Sequence, residues 1–280
     1  MALNLEQATN VIIERARQLV NQLVEARGHD EPPFLPEEYA RLAGIKRIEK
    51  ADLGHDRADI GAVLLRFRDG YVIKANQNQN LPRQRFSCAH EIGHILLGEL
   101  ELEPLMEDVE FRTSNPQGQA KNRQSSRERL CDAAATELLM PETVFKKHLS
   151  RLGASINSIE WLANIFKVSI SSTAIRIAEL STEPCIALLW RLRPGTKSKA
   201  LRLAWHIGQG KKFRGKANYM PKHAVVRPTS KLYQAYEGAN PVKSSKDFKL
   251  DKVTKRWPME SKGFGRGEKR YVISLAFPDR

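Results

Sequence analysis

The sequence contains the stretch His90-Glu91-Ile92-Gly93-His94, set in a run of mostly apolar or small residues. On a helix, side chains four positions apart lie on one face, so His90 and His94 are able to turn an imidazole nitrogen toward one metal ion. Glu91 directly follows the first histidine, where its carboxylate reaches a water molecule beside the ion without binding the ion. The stretch therefore predicts a helix that carries a hydrolytic zinc centre.

The helix predicted around this motif runs from about Pro82 to Leu97 and ends at Gly98. Its other positions are mostly apolar or small, which is typical of a buried element. An ionised carboxylate such as that of Glu91 is costly to bury without a cation. A metal ion supplies that cation, whereas the alternative is a pair of core histidines joined to the carboxylate by a buried salt link.

A catalytic zinc ion usually has three protein ligands and keeps a fourth position for water. Acidic residues that could complete the site are Glu99, Glu101, Glu103, Glu107, Glu110, Glu128 and Glu137. Glu128 is favoured because it lies at the start of a predicted helix, whereas the acidic residues just after Gly98 lie in a loop. Asp132 follows one turn later and is predicted to accept a hydrogen bond from a ligating histidine. The alternative role for Glu128 is a capping box with Ser125.

Two runs of residues together carry a resemblance to a known family. They are Arg85-Phe86-Ser87-Cys88-Ala89-His90-Glu91-Ile92-Gly93-His94 and Glu128-Arg129-Leu130-Cys131-Asp132, with Ala135-Thr136-Glu137-Leu138-Leu139-Met140-Pro141 after the second. The runs resemble the ImmA/IrrE family of metallopeptidases, and the resemblance covers about residues 10–180. It implies that His90, His94 and Glu128 bind Zn²⁺ and that Glu91 is catalytic. The Glu-x-x-x-Asp spacing of the second run is also similar to that of thermolysin-type gluzincins.

The resemblance further implies an activity. Members of this family commonly cleave a transcriptional repressor with a helix-turn-helix, which relieves repression after stress or induces a mobile element. The expected function is therefore that of a cytoplasmic, zinc-dependent metalloendopeptidase whose protein substrate is such a repressor. Residues 181–280 fall outside the resemblance, although some relatives carry a sensor-like domain in that part of the chain.

Patterns around the motif predict an α+β fold. Apolar residues recur at three- and four-residue steps from Leu5 to Val24, which predicts an amphipathic helix ending near Gly28. Two apolar runs, Ala62–Phe67 and Tyr71–Ala75, are joined through Asp69-Gly70, a turn pair typical of a hairpin. We expect a zincin-like helical core with a small antiparallel sheet, in which the second hairpin strand offers an edge to an extended peptide.

The chain beyond the motif alternates between irregular and helical patterns. The segment from Glu99 to Gln124 is acidic at first and then polar. A connection of this length is typical of a functional lid or a disordered loop. Helical periodicity returns from Ser126 to Leu139 and from Glu142 to Leu149. The pattern between Ser158 and Leu180 predicts two short helices across a tight turn, which is the outline of a helix-turn-helix.

Basic residues are concentrated in the last third of the chain. Residues 181–280 hold 23 Lys plus Arg against 7 Asp plus Glu, and the whole chain has a net charge of +14. Such a field attracts phosphates or an acidic protein surface. Apolar bursts separated by Gly, Lys and Pro predict strands there. We expect a metallopeptidase domain at 1–152, a helix-turn-helix-like segment at 153–182, and a basic α/β or β-rich domain, sensor-like in kind, at 183–280.

Composition and patterning argue against a membrane-spanning protein and against a secreted one. No run of about 18 apolar residues is present, and the first residues lack the layout of a secretory signal. The three cysteines, Cys88, Cys131 and Cys185, have neither metal-knuckle nor redox spacing and are interpreted as small buried hydrophobes. These features favour a cytoplasmic protein without a membrane partner. The alternative function is a DNA-binding regulator that reads bases with Ile159–Leu180 and holds phosphates with the basic region.

Overall fold

The structure is a computed structural model that describes residues 4–54, 60–100, 126–192, 200–208, 218–219, 225–226, 228–250 and 253–278. The chain forms two compact units, Met1–Val144 with Phe166–Val168, and Phe145–Ile165 with Ser169–Arg280. Each unit contains helices and strands, so the α+β prediction is confirmed. The finer division at 152 and 182 stays a prediction.

The first unit places its helices before and after a small sheet. Its helices are α1 (Leu5–Arg27), α2 (Pro36–Tyr39), α3 (Leu81–Glu99) and α4 (Ser126–Leu139), and its strands are β1 (Ile45–Ala51), β2 (Ala62–Phe67) and β3 (Gly70–Asn76). Helix α5 (Glu142–Leu152) begins in this unit and ends in the second. The helices predicted near the amino terminus, around the motif and from Ser126 are therefore confirmed. The predicted loop from Glu99 to Gln124 lies almost wholly outside the described residues.

Helix α1 begins and ends at residues that satisfy its terminal backbone groups. The side chain of Asn4 accepts a hydrogen bond from the backbone of Gln7, and the side chain of Gln7 accepts one from the backbone of Asn4. At the other end, Gly28 has a φ of 74°, a conformation that glycine adopts without a steric penalty. The buried face consists of Ala8, Ile12, Ala16, Leu19, Val20 and Leu23. This face contacts α4, so α1 supports the helix that carries the second motif.

The sheet of the first unit has the strand order β1-β3-β2. Strands β2 and β3 form the predicted antiparallel hairpin, in which Phe67 pairs with Gly70. Strand β1 was not predicted, and it pairs with β3 in parallel. The prediction of an antiparallel sheet is therefore wrong, because the sheet is mixed. Charged residues interrupt β1 between Ile45 and Ala51, which leaves little of the alternation that marks a strand.

The prediction of which strand offers a free edge is also wrong. Strand β3 pairs with β1 on one side and β2 on the other, so it is the central strand. Within the described residues, β2 pairs only with β3, and it also contacts α3. The edge available to an extended peptide beside α3 is therefore that of β2.

Helices α3 and α4 pack together in the core of the first unit. Helix α3 begins after Asn80, whose side chain accepts a hydrogen bond from the backbone of Arg83, and Pro82 lies in its first turn. Both helices carry buried apolar residues, which include Ala89, Ile92 and Leu96 on α3 and Leu130, Ala134 and Leu138 on α4. The apolar packing fixes the turns of both helices that carry the motif residues.

The second unit contains a larger sheet. Its helices are α6 (Ile156–Phe166, whose last residue belongs to the first unit), α7 (Ile170–Leu180) and α8 (Lys231–Glu237). Its strands are β4 (Ile186–Leu192), β5 (Leu201–Gly208), β6 (Asn218–Tyr219), β7 (Val225–Val226), β8 (Val242–Leu250), β9 (Val253–Phe264) and β10 (Tyr271–Ala276). The order is β6-β8-β9-β10-β4-β5-β7, with every neighbouring pair antiparallel. The strands predicted after Pro184 are therefore confirmed.

The two short helices predicted before Leu180 are α6 and α7, with a brief turn between them. Ser169 caps α7 by accepting a hydrogen bond from the backbone of Ser172. Helix α7 packs against β4, β5 and β10. Arg176 of α7 is only 7% exposed, and its guanidinium lies 3.7 Å from the carboxylate of Glu179. The strongly basic side chain of α7 is therefore buried and ion-paired.

One apolar cluster of the second unit lies on the face of the sheet that α8 covers. Two tryptophans, Trp190 of β4 and Trp257 of β9, are almost fully buried there. The indole N–H of Trp190 donates a hydrogen bond to the hydroxyl of Ser274 at 3.1 Å. Helix α8 contacts β8, β9 and β10. Throughout the described part of the chain, no helix combines the length and apolar character needed to cross a membrane.

Candidate functional site

Helix α3 brings His90 and His94 together, as the spacing of the motif predicts. The centroids of the two imidazole rings lie 5.0 Å apart, and the ring planes are inclined by 74°. The His90 side chain is 14% exposed and the His94 side chain 15%. Two largely buried imidazoles at this separation need polar partners, because an unsatisfied buried nitrogen is costly.

Helix α4 supplies those partners. Glu128 Oε2 lies 3.1 Å from His90 Nε2, and Glu128 Oε1 lies 3.6 Å from His94 Nε2. Asp132 Oδ1 lies 2.8 Å from His90 Nδ1. The structure therefore brings His90, His94, Glu128 and Asp132 into one cluster, and Glu91 directly follows His90 on α3.

Gly93 permits the close approach of α3 and α4 at this cluster. A Cβ atom at Gly93 would lie 2.9 Å from Cys131 Cα and 3.0 Å from the Cys131 carbonyl oxygen. Both are backbone atoms, so α4 itself would have to move to make room. Cys131 lies between Glu128 and Asp132 in the chain, and Gly93 therefore sets how near both carboxylates come to the imidazoles.

We expect Gly93→Ala to destabilise the protein by about 1–3 kcal/mol, the usual cost of overpacking, and to weaken zinc binding by displacing Glu128. Thermal unfolding with and without added zinc measures both effects. The matched control is Gly98→Ala on the same helix, because a Cβ there meets nothing within 4 Å. If the two variants unfold alike and bind zinc alike, the close approach does not position the cluster.

A positive charge has to lie between His90 and Glu128. If His90 Nδ1–H donates to Asp132, the lone pair of Nε2 faces a carboxylate oxygen at 3.1 Å. Burial lowers the pKa of His90, but the hydrogen bond to Asp132 and the charges of Asp132, Glu128 and Glu91 outweigh it, so the pKa is raised. A second ring proton or a divalent cation would meet this need. Two imidazoles and one carboxylate are also a ligand set that catalytic zinc takes, so these residues fit the ion.

Glu91 lines a cavity of about 340 Å³ beside the cluster. Burial raises the pKa of Glu91 to about 7, although the nearby charge of His90 lowers it. The backbone N–H of Leu64, in β2, donates a hydrogen bond to this carboxylate. The same cavity is lined by Ile60 and Gly61 just before β2 and Ala62 at its start, by Arg83, Phe86 and Ser87 on α3, and by Glu128 and Asp132 on α4. Its walls are thus the beginning of the edge strand β2 and the two helices α3 and α4.

Cys131 belongs to the cluster, although the sequence suggests only a small buried hydrophobe. Its Sγ lies 3.3 Å from His94 Nδ1, and candidate ligand atoms of His90, His94 and Cys131 lie within 4.8 Å of one another. Burial raises the pKa of the Cys131 thiol well above its ordinary value, and the Glu128 charge raises it further. A protonated thiol is a poor ligand, and Cys131 contacts one imidazole where Glu128 approaches both. The available signal was its position between Glu128 and Asp132.

Arg127 is a second residue that the pattern did not single out. Its Nε donates to His94 Nδ1 at 3.3 Å. This guanidinium places a fixed positive charge at the rim of the cluster, and it lowers the pKa of both Glu91 and Cys131. A basic residue directly before Glu128 was the signal that could have found it, because both residues lie on the first turn of α4.

The other acidic candidates either pair elsewhere or lie outside the described residues. Glu99 binds Arg15 at 2.7 Å. Glu137 is buried, accepts from Arg17 at 3.2 Å and accepts from the backbone of Glu142 at 3.0 Å. Residues outside the described part of the chain are Glu101, Glu103, Glu107, Glu110 and Ser125, the last being the partner in the alternative capping role of Glu128.

Comparisons with known proteins concern this same region. A family described as the IrrE N-terminal-like domain, Peptidase_M78, matches residues 44–178. The radiation response metalloprotease IrrE of Deinococcus radiodurans is 34% identical over 135 residues, which cover 46% of this chain and 39% of that protein. Its namesake in Deinococcus deserti is 32% identical over 117 residues, 41% of this chain and 39% of the relative. The alignments thus span about two-fifths of these relatives.

A similar fold occurs in a solved structure, that of a Mycobacterium tuberculosis transcriptional regulator. The TM-score is 0.60, and the match covers 95% of this chain and 76% of the other at 12% sequence identity. At that identity the likeness concerns the fold alone. The family match is more informative for the site, because it includes all of α3 and α4. Residues 44–178 form an IrrE N-terminal-like domain, Peptidase_M78, which is a domain of the ImmA/IrrE family of metallopeptidases.

Proposed function

We propose that this chain is a zinc-dependent metalloendopeptidase of the zincin-like, gluzincin type. The observation that supports it most is the convergence of two imidazoles from α3 with the Glu128 carboxylate from α4, beside the carboxylate of Glu91. The match to a metallopeptidase family also supports a peptidase activity. The activity is assigned to residues 1–152.

The ion would be held by His90, His94 and Glu128. When bound, zinc supplies a Lewis acid for a carbonyl oxygen and lowers the pKa of water to about 7. Asp132 accepts a hydrogen bond from the Nδ1–H of His90, which holds the ring in place and leaves the lone pair of Nε2 on the side of Glu128. Asp132 is therefore a positioning residue.

Glu91 is the proton carrier in this proposal. Its carboxylate lines the cavity beside the cluster but lies outside the set of His90, His94 and Glu128. As a general base it takes a proton from the attacking water, and as a general acid it gives that proton to the departing amine nitrogen. The hydrogen bond from the backbone N–H of Leu64 orients the carboxylate for both steps.

Strand β2 offers the edge along which a substrate would bind. Its backbone is paired only with β3 among the described residues, and its first residue, Ala62, lines the same cavity as Glu91. An extended peptide that adds to this edge would pass over the cluster. The substrate is therefore a flexible segment of a protein.

The proposed substrate class is a helix-turn-helix transcriptional repressor, whose cleavage would relieve repression in a stress or mobile-element response. Family membership supports this class, and the names of the two Deinococcus relatives connect those proteins with a radiation response.

The test uses the purified chain, zinc and a repressor encoded by a neighbouring gene under inducing conditions. We expect two fragments with one new amino terminus, detected by mass spectrometry, and no cleavage once zinc is chelated. An intact repressor under these conditions would exclude this substrate class, and cleavage that persists without metal would exclude the metal centre.

A DNA-binding regulator is the second candidate function. The excess of 23 basic over 7 acidic residues in 181–280 favours it. The burial of Arg176 and its ion pair with Glu179 weaken the case for DNA binding. Helix α7 of the helix-turn-helix-like segment 153–182 then has no exposed basic side chain to contact the bases. A salt-dependent mobility shift of duplex DNA that survives Glu91→Gln would support it. We assign the sensor-like role, in either case, to residues 183–280.

A further inference from the structure

A cavity of about 610 Å³ lies in the second unit, where the start of α8 meets strands β8 and β9. Four basic residues line it, namely Lys231, Lys243, Lys246 and Arg256, and none of its described lining residues is acidic. Clefts of roughly 300–1,000 Å³ commonly bind small molecules. A concave site lined by one sign of charge also concentrates ions of the opposite sign. Size and charge therefore point to an anionic small molecule.

The basic side chains differ in how firmly the fold holds them. Arg256 Nε donates to Ser245 Oγ at 2.7 Å, so its guanidinium is fixed against the neighbouring strand. Lys246 is half-buried, and its Nζ lies 5.2 Å from the ring centroid of Trp190. A lysine held over a buried indole has lost part of its hydration. Both cations line the cavity, with Lys246 half-buried and Arg256 exposed.

Ser244 adds a neutral donor to the same wall. Its hydroxyl oxygen is buried and has no hydrogen-bond partner among the described residues, which is uncommon for a buried polar atom. The register pairs Ser244 with Met259, and both line the cavity. A ligand oxygen that accepts a hydrogen bond from this hydroxyl would satisfy it.

Glu260 pairs with Lys243 in the register of β8 and β9, but its carboxylate binds a backbone group of another element. Its carboxylate accepts a hydrogen bond from the backbone N–H of Ile156 at 3.2 Å. The remaining wall of the cavity is apolar and includes Val226, Leu232, Pro258 and Met259. The cavity therefore combines a cationic side for phosphate oxygens with an apolar side for a ring system.

We infer that this cavity binds a phosphorylated small molecule of nucleotide size, with its phosphates against Lys246, Arg256 and Ser244 and its ring against Leu232 and Met259. The assignment is independent of the proposed peptidase chemistry, because none of these residues belongs to the cluster around His90. It gives a specific role to part of the positive charge of the last third of the chain.

The test is equilibrium binding to the full chain, measured by titration calorimetry with ADP, pyrophosphate, adenosine and a duplex DNA as separate probes. We expect ADP to bind with a dissociation constant below about 1 mM and adenosine to bind at least about tenfold more weakly. Lys246→Gln and Ser244→Ala should each weaken ADP binding, by about tenfold for the lysine. Lys269→Gln, an exposed lysine outside the cavity, is the matched control.

Arg256→Gln is a further cavity variant for the case in which the Lys246 or Ser244 variant fails to fold. Because Arg256 is exposed, its replacement should not disturb folding. Circular dichroism of each variant confirms that it is folded before binding is compared. Saturable ADP binding that the cavity variants weaken and Lys269→Gln leaves unchanged supports the inference. No saturable binding of ADP or pyrophosphate, equal binding by all variants, or binding of duplex DNA alone overturns it.

Discussion

Replacing Glu91 with glutamine is expected to lower the rate of peptide hydrolysis by about 10²–10⁴-fold, the usual contribution of a general acid–base group. The amide keeps the size of the side chain and still accepts a hydrogen bond from the backbone of Leu64, but it is unable to take a proton from water. Because Glu91 lies outside the proposed ligand set, zinc content should remain that of the unmodified protein. The rate of repressor cleavage measures the first effect, and metal analysis of the same sample measures the zinc content.

The matched control is Glu25→Gln, which removes the charge of an exposed glutamate on α1. It should leave both the cleavage rate and the zinc content unchanged. A Glu91→Gln variant that cleaves within about threefold of the wild type would exclude Glu91 as the proton carrier. A variant that loses zinc would place Glu91 among the ligands.

Replacing Glu128 with alanine is expected to remove zinc and abolish activity. Glu128 approaches both imidazoles, at 3.1 and 3.6 Å, so its loss leaves two histidines to hold the ion. The decrease in zinc affinity should exceed the roughly 10–100-fold that follows loss of a carboxylate hydrogen-bonded to a ligand. Asp132→Asn, which alters such a carboxylate, is the comparison. Competition with a chromogenic chelator measures both affinities.

Cys131→Ser separates the two candidate third ligands. If Glu128 binds the ion, Cys131→Ser retains zinc and Glu128→Ala loses it. The reverse result would identify Cys131 as the ligand and return Glu128 to the helix-capping role. Burial of Cys131, which raises the pKa of its thiol, makes the first result the expected one.

Much of the first unit was predictable because its signals are local. Helix α1 has apolar residues at a helical period and glycine just after its end, and the hairpin of β2 and β3 has Asp69-Gly70 at its turn. Helices α3 and α4 are similarly periodic, and each carries its part of the motif on one face. The spacing of His90 and His94 therefore sufficed to predict that their rings meet.

Features that depend on distant parts of the chain were less accessible. Strand β1 has charged residues along its length and becomes a strand by pairing with β3, so its parallel register has no local signal. Because β1 takes one side of β3, the free edge moves to β2. The approach of Glu128 to the imidazoles depends on the absence of a side chain at Gly93, which matters only once α4 lies against it.

The basic last third shows the same limit. Its charge could be counted from the sequence, but the cavity appears only where α8 meets β8 and β9. Lys246 and Arg256 lie on neighbouring antiparallel strands, where they pair with Trp257 and Asp247, and both line the cavity. In residues 158–180 the two helices were predicted correctly from the local pattern. The burial of Arg176 was not predictable, because it follows from the packing of α7 against the sheet.

The most direct test of the metal centre is X-ray absorption spectroscopy at the zinc edge of the zinc-loaded wild-type protein. Ligation by His90, His94 and Glu128 predicts only nitrogen and oxygen neighbours, at about 2.0–2.2 Å, with the outer-shell scattering of two imidazoles. A sulfur neighbour at about 2.3 Å would contradict this account and place Cys131 in the coordination sphere.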